Sequence, residues 1–332
     1  VSATHCAVTM FDSESLKTLR DGIFMDIRPE DPTGRFDVFD RRTAETVGAR
    51  LREFERMRRR RVSRILYCLP PDKTTRIEGY SQMVLHPRGT RRVRAIHIRK
   101  AIEQARLLSL DWYYRPVHVF PTEFRLDGKI FYAPPLGVFG RKLETRVAFY
   151  VVDKDYSANL DQFFEYMDRV CQGMILAPLA QVSACKADRL KKEHFILIDF
   201  GATRTEIAVF RHSNLIDCRV LPGGGDDADE VLSKELGISR ELAEDLKKNY
   251  GSVQESDLRD GRSVTVKRQA LYRDVQRGQI NRCLHGFYTD RLRAVRECLE
   301  ELDALRHMEG AVCIGAAAQL NGLPELLRQI VG

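Results

Sequence analysis

Three apolar β-type runs follow one another within residues 195–221: strands at 195–199, 205–210 and 215–221, the first two inside the stretch FILIDFGATRTEIAVF. The link Gly201-Ala202-Thr203-Arg204-Thr205 leaves room only for a hairpin, which requires antiparallel pairing. Asp199 ends the first run, placing a carboxylate at the end of a buried strand. A hairpin tip of small residues turns backbone N–H groups toward a common centre, a nest that accepts phosphate oxygens, and Thr203 and Thr205 add hydroxyls. Asp199 would not touch phosphate, because like charges repel. It would instead orient Mg²⁺ through water, since that ion keeps much of its hydration shell. An ordinary hairpin with Asp199 in its turn fits the same residues equally well.

A chain of 332 residues is too long for one ordinary core, so two lobes or more are expected. With 43% hydrophobic and 30% charged residues it can bury a large interior and still stay in solution. Its longest apolar stretches fall well short of the ~20 residues of a membrane span, and no segment reads as a secretion signal. The chain opens on Val1 and closes at Gly332 on an unfinished apolar pattern, as a piece of a longer protein would. The eight cysteines form no C-x-x-C pair, so neither a zinc knuckle nor a redox motif is visible; several lie in apolar patterns and read as small core residues of a reducing compartment. The net charge of +7 owes much to the RMRRRR run between Arg50 and Arg64. Ala44, Val47, Leu51, Phe54 and Met57 make an apolar stripe there at helical spacing, so the arginines read as a solvated helix face. No base-stacking aromatics interleave with them, which argues against nucleic acid.

Along the chain, periodicity predicts helices at 43–60, 98–108, 159–171, 226–236 and 239–249, a long charged helical region at about 268–304, and a last helix from Pro324. Strands are expected at 64–69, in short pieces over 72–97, at VHVF, at FRLDGKIFY with an Asp-Gly turn, at TRVAFYVV and at 311–314. Antiparallel strand pairs mixed with helices, in two halves, argue an α/β chain with two lobes. Trp112, beside Tyr113, Tyr114 and Arg115, reads most simply as a core residue and alternatively as a partner contact.

Three further stretches suit a nucleotide. Pro222-Gly223-Gly224-Gly225-Asp226 opens a helix, where glycines permit close approach and the helix start favours anions; a flexible loop capped by Asp226 is the simpler alternative. Glu244 and Lys247 lie three apart on one helix face, placed to hydrogen-bond ribose and a base edge or to form a surface ion pair. Gly315 and Ala316 follow a strand in VCIGAAAQLNGLPELL, where an adenine ring can lie against backbone or helix and strand can pack closely.

In order, these pieces resemble the actin–sugar kinase–Hsp70 superfamily and, within it, the bacterial cell-division FtsA family. IDFGATRTEIAVF resembles its phosphate-2 loop, LPGGGDDADEVL its P-x-G-G-[DN] segment, LAEDLKKNYG its A-E-x-x-K-x-x-Y-G helix, and CIGAAAQLNGLPELL its adenosine motif. VFPTEFRLDG, PPLGVFGRKLETRV and LAPLAQVSA resemble family stretches upstream. The resemblance implies two ribonuclease-H-like, actin-like lobes around a nucleotide cleft, with a small inserted α+β (SHS2-like) subdomain. The N-terminal lobe would span 1–71 and 143–190, the insert 72–142 and the C-terminal lobe 191–332. It also implies an ATP and Mg²⁺ site, with slow hydrolysis at most. Asp199 would position the metal; Gly201, Ala202, Thr203, Arg204 and Thr205 would hold phosphates; Gly224, Gly225, Asp226, Glu244, Lys247, Gly315 and Ala316 would hold the nucleoside. Val1-Ser2-Ala3-Thr4-His5 would align with the I-G-x-x-K of the phosphate-1 loop, so Ser2, Ala3, Thr4 and His5 are candidates, with the glycine replaced by Ser2 and the lysine by His5.

Family partners would be a tubulin-like (FtsZ-like) division protein, other divisome proteins and further copies in filaments. The location would be cytoplasmic, on the inner membrane face at the division site, with membrane contact only through a segment outside this chain. Two other readings stay open: a nucleotide-independent adaptor like the pilus-assembly protein PilM, docking a peptide, and a small-molecule kinase using Asp199 or Glu206.

Overall fold

The computed structural model describes residues 5–11, 18–26, 41–59, 61–62, 64–185, 194–211, 214–268 and 271–332, which fall into two compact units, Val1–Cys185 and Lys186–Gly332. Ser2, Ala3 and Thr4 lie outside the described residues, and of His5 the backbone alone is described.

The first unit begins with an antiparallel pair, β1 (His5–Phe11) and β2 (Thr18–Asp26). Helix α1 (Arg41–Arg58) buries Ala44, Val47, Leu51 and Phe54, whereas Met57 is exposed, so the expected stripe ends one turn early. Its arginines do form a solvated face: Arg41 pairs with Glu45, Arg50 with Glu53, and Arg58 lies over the Phe54 ring. Next come β3 (Arg64–Leu69), β4 (Thr75–Val84), β5 (Arg91–Arg92) and α2 (Ala95–Ser109). They are followed by β6 (Tyr114–Leu126), β7 (Lys129–Phe131), β8 (Phe139–Gly140) and β9 (Lys142–Asp153).

β4, β9, β6 and β7 form one antiparallel sheet in that order. Leu143, Val147, Phe149 and Val151 of β9 pack with Ala101 and Ala105 of α2 on one face. The Asp-Gly turn is as expected: Leu126 faces Lys129, and Asp127 and Gly128 both have positive φ (50° and 87°), the backbone of a type I′ hairpin. β9 stays paired to β4 through Val151 and to β6 through Asp153, so this sheet runs past residue 142, the expected end of the insert. Trp112 is not core: it is 77% exposed, with the Lys154 ammonium over its ring.

Helix α3 (Lys154–Tyr166) starts and stops earlier than its apolar spacing implies. Asp153 caps it, accepting the Tyr156 N–H, and Asp168 ends it with φ of 57°. Cys171 therefore belongs to β10 (Val170–Leu176), which runs parallel to β3, and α4 (Ala177–Ala184) closes the unit. Cys68 and Cys185 are exposed thiols rather than core residues.

His118 of β6 ties the sheet to the end of β10. Its Nε2 accepts the Leu176 N–H at 3.1 Å, and burial lowers its pKa. The folded state therefore holds this imidazole neutral more firmly than the unfolded chain does. Its contribution is present above the unfolded value of about 6.5 and is lost as pH falls from there toward the lowered folded value. His118→Leu is expected to orphan the Leu176 N–H, cost about 1–3 kcal/mol in denaturant unfolding, and remove that pH slope.

The second unit runs β11 (His194–Phe200), β12 (Arg204–Arg211), β13 (Asn214–Pro222), α5 (Gly225–Leu236), α6 (Arg240–Tyr250), β14 (Ser263–Arg268), β15 (Leu271–Gln276), α7 (Arg277–Glu301), β16 (Gly310–Ile314) and α8 (Leu323–Ile330). The sheet order is β13-β12-β11-β16, with β16 parallel to β11. β11 is flanked on both sides and its Phe195, Ile196, Leu197 and Ile198 are all buried, which is why FILIDF is apolar without alternation. One core holds the unit together, with Leu284, Tyr288, Leu292 and Val295 of α7 packed among the sheet, α5, α6 and α8. The expected helical region at 268–304 begins later, because SVTVKR and LYRDVQ pair as a hairpin with Val266 and Val275 buried. Among the described residues no helix is long and apolar enough to cross a membrane.

Candidate functional site

The sequence-predicted residues of the second unit converge at the carboxyl ends of β11 and β16. β11 and β12 pair from His194–Arg211 to Phe200–Thr205, so the hairpin tip is Gly201-Ala202-Thr203, closed by the Gly201 N–H donating to the Arg204 carbonyl at 3.0 Å. Asp199 sits opposite Glu206 on one side and Ile314 on the other. Gly315 then turns sharply with φ of 91°; a Cβ there would lie 2.8 Å from Asp199 Oδ1 and 2.3 Å from the Phe200 carbonyl oxygen, so only glycine lets the two strand ends meet. Gly315 and Ala316 are exposed beside this carboxylate.

The glycine corner reaches the same tip, but not across a gap. The Gly225 N–H donates to the Gly201 carbonyl at 2.9 Å, the Asp226 N–H to the Ala202 carbonyl at 2.8 Å, and the Gly223 N–H to the Thr203 carbonyl at 3.1 Å. A Cβ on Gly224 would sit 2.4 Å from the Gly201 oxygen. Direct backbone contact thus leaves no gap for a ligand between tip and corner. The first amides of α5, expected to meet an anion, are committed: Gly224 N–H to the Asp227 carboxylate, and those of Gly225 and Asp226 to the tip. Thr205, expected to hold phosphate, is fully buried and donates its hydroxyl to the Gly223 carbonyl at 3.0 Å. Its role is to latch the corner to the hairpin.

Charged candidates are also partnered within the fold. Arg204 lies 2.9 Å from Glu206, its neighbour two residues along the same face of β12. Asp226 pairs with Arg240 of α6 at 2.9 Å. Glu244 pairs with Lys248 at 2.6 Å rather than facing Lys247 alone. Lys247 turns inward, donating to the Gly225 carbonyl at 2.6 Å and to Asp229 Oδ2 at 2.7 Å.

Asp229 was missed by the sequence reading. It sits in the buried stripe of α5 between Ala228 and Leu232, and an acid inside an apolar stripe is the signal that would have found it. Burial raises its pKa more than the Lys247 hydrogen bond and charge lower it. Arg291 of α7 was missed as well; it donates to the Pro222 carbonyl and lies against Gly223.

What stays open at the tip is its outer edge. Neither the Ala202 nor the Thr203 N–H has a hydrogen-bond partner among the described residues, and Thr203 is exposed. Two adjacent N–H groups, a free hydroxyl and a nearby carboxylate form a donor set that suits one phosphate with a hydrated cation beside it. Among the described residues no group of three or more His, Cys, Asp or Glu is placed to hold a metal.

Comparisons with known proteins bear on the family and the fold. The family model described as "Cell division protein FtsA" matches residues 196–332, and that described as "SHS2 domain inserted in FTSA" matches residues 74–151. The cell division protein FtsA of Streptococcus pneumoniae is 27% identical over 267 residues, covering 79% of this chain and 58% of that protein. The FtsA of Agrobacterium fabrum is 28% identical over 250 residues, covering 73% and 56%. This chain therefore spans a little over half the length of the curated relatives it matches. A solved PilM-PilN type IV pilus biogenesis complex aligns over 100% of this chain and 84% of that one, with a TM-score of 0.63 and 15% identity, a likeness of fold alone. With two FtsA family matches that jointly cover more than half of its residues, an inserted SHS2 domain and an actin-like α/β fold, this chain belongs to the FtsA family of cell-division proteins.

Proposed function

We propose that this chain is an actin-like, ATP-binding scaffold of bacterial cell division, whose lobes respond to nucleotide with at most slow hydrolysis. The observation that carries the nucleotide is the open edge of the hairpin tip, where the Ala202 and Thr203 N–H groups lie unpartnered near Asp199 and Gly315. On this reading those amides and the Thr203 hydroxyl hold a phosphate, Asp199 orients hydrated Mg²⁺, and the exposed Gly315-Ala316 backbone takes the adenine. Bound Mg²⁺ would supply charge neutralisation for the phosphates. Glu244 and Lys247 contribute at the nucleoside only in so far as Lys248 and Asp229 release them. In place of the anion-binding α5 terminus expected from the sequence, the corner acts as a brace that fixes the tip. Family membership supports a tubulin-like division protein, other divisome proteins and further copies of this chain as partners, and a station on the cytoplasmic membrane face at the division site. The insert and the flanking parts of the N-terminal lobe would carry part of these contacts.

A PilM-type adaptor that works without nucleotide is the second reading. It is favoured by the direct hydrogen bonds between tip and corner and by the neutralisation of Lys247 by Asp229. Titration of a fluorescent ATP analogue with and without Mg²⁺ separates the two. The scaffold reading expects saturable binding, weakened about tenfold or more by Thr203→Val and stripped of its Mg²⁺ dependence by Asp199→Asn, since hydrogen bonds to charged groups are worth ~1.5–3 kcal/mol. No binding by the parent chain would leave the adaptor standing.

A further inference from the structure

We propose that one end of the inserted sheet is a docking surface for an anionic lipid membrane. Between His86 and Lys100 the chain carries Arg88, Arg91, Arg92, Arg94, Arg99 and Lys100 and no acidic residue. All six are exposed, and none has a salt bridge among the described residues. On α1, by contrast, Arg41 and Arg50 have acids one helical turn away. Fold stability does not account for the cluster. Its charges repel one another and surround the start of α2, whose dipole is already positive there.

Apolar side chains share the surface. β5 pairs with β8 so that Arg92 stands directly opposite Phe139, and cross-strand neighbours project to the same face. The Val93 N–H donates to the Val138 carbonyl, the Gly137 N–H to the Val93 carbonyl, and the Leu85 N–H to the Arg141 carbonyl. These bonds bring the 85–94 and 136–142 segments together at the same end of the sheet. Phe139 is 65% exposed, and Leu136 and Val84, the latter opposite Lys142, are also exposed. An exposed surface that mixes cations lacking salt bridges among the described residues with aliphatic and aromatic side chains matches an interface of anionic headgroups over acyl chains. Nucleic acid shares the charge complementarity, and of Phe139, Leu136 and Val84 only Phe139 is a ring a base could stack on; the aliphatic Leu136 and Val84 suit acyl chains instead. This assignment adds a membrane contact inside the chain to the one expected from a segment outside it. It is independent of the proposed nucleotide site, which lies in the other unit.

Co-sedimentation of the whole chain with phosphatidylglycerol-rich vesicles, against pure phosphatidylcholine vesicles, tests the assignment. Binding should require the anionic lipid and fall with added salt. Arg91→Glu/Arg92→Glu should lower it by about tenfold or more, and Leu136→Ser/Phe139→Ser by about tenfold. Arg52→Glu/Arg56→Glu on α1, with the same change in net charge, should leave it unchanged, and circular-dichroism melting confirms that each variant folds. Three results would each overturn the proposal: no binding to anionic vesicles, equal loss with the α1 pair, or no effect of Leu136→Ser/Phe139→Ser. So would a single-stranded oligonucleotide that binds more tightly than the vesicles with the same variant pattern, which would reassign the surface to nucleic acid.

Discussion

Asp229→Leu is expected to destabilise the second unit by about 3–5 kcal/mol, the usual cost of breaking a buried ion pair from one side. Asp229 is 3% exposed and Lys247 is largely buried, so removing the carboxylate leaves an ammonium with one carbonyl partner and little water. The double variant Asp229→Leu/Lys247→Met is expected to recover most of that loss, because an apolar pair of similar volume removes both desolvation costs. Denaturant unfolding followed by far-ultraviolet circular dichroism measures both. A double variant as unstable as the single one would show that packing, not charge, is at stake. The pH dependence gives an independent check. Burial raises the Asp229 pKa in the folded state, and its Oδ1 has no hydrogen-bond partner among the described residues. The stability linked to its proton is full below the unfolded carboxylate value of about 3.9 and is lost as pH rises through the raised folded value. Asp229→Leu should lack that component of the slope.

The second large effect is expected at Gly224. An added Cβ would meet backbone atoms of Gly201 and Ala202 at 2.4–2.7 Å, and neither strand end can yield without breaking the Gly225–Gly201 and Asp226–Ala202 hydrogen bonds. Overpacking of about 1–3 kcal/mol, with about 1 kcal/mol for a lost hydrogen bond, puts Gly224→Ala at about 2–4 kcal/mol. Binding of the ATP analogue should be lost with it, since the tip no longer has its brace. Gly261→Ala is the control. A Cβ there meets nothing within 4 Å, so its effect should stay within about 0.5 kcal/mol.

The strands of the second unit were legible because β11 lies between two partners and needs apolar residues on both faces, so FILIDF announces itself. The hairpin tip, the glycine corner and Gly315 were legible for a related reason: each needs a residue without a Cβ where two backbones meet. The direction of those meetings was not legible. Whether the glycines at the corner admit a ligand or admit the neighbouring loop depends on which carbonyls face which amides. That is fixed by the packing of α5, not by the glycines themselves. Lys247 shows the same limit. Its spacing from Glu244 suited either a ligand or an ion pair, and the deciding residue, Asp229, lies eighteen positions away on another helix. Helix ends failed where apolar spacing continued past a stop. Residues 160, 163, 164, 167 and 171 keep helical period, yet Asp168 reverses the chain and Cys171 joins a strand. The strand pair β14–β15 was hidden by its charged residues, since among the side chains described there only Val266 and Val275 are buried.

The twelve residues of β9 carry a mechanical consequence. The strand begins beside the Asp127–Gly128 turn, extends for about 40 Å at ~3.3 Å per residue, and passes at Asp153 directly into the capped start of α3 with no linker between. Load applied at the outer rim of the insert is therefore delivered along a stiff strut into α3, and from there to α1 through the Leu160–Phe164–Met167 contacts, instead of being absorbed by a swivel.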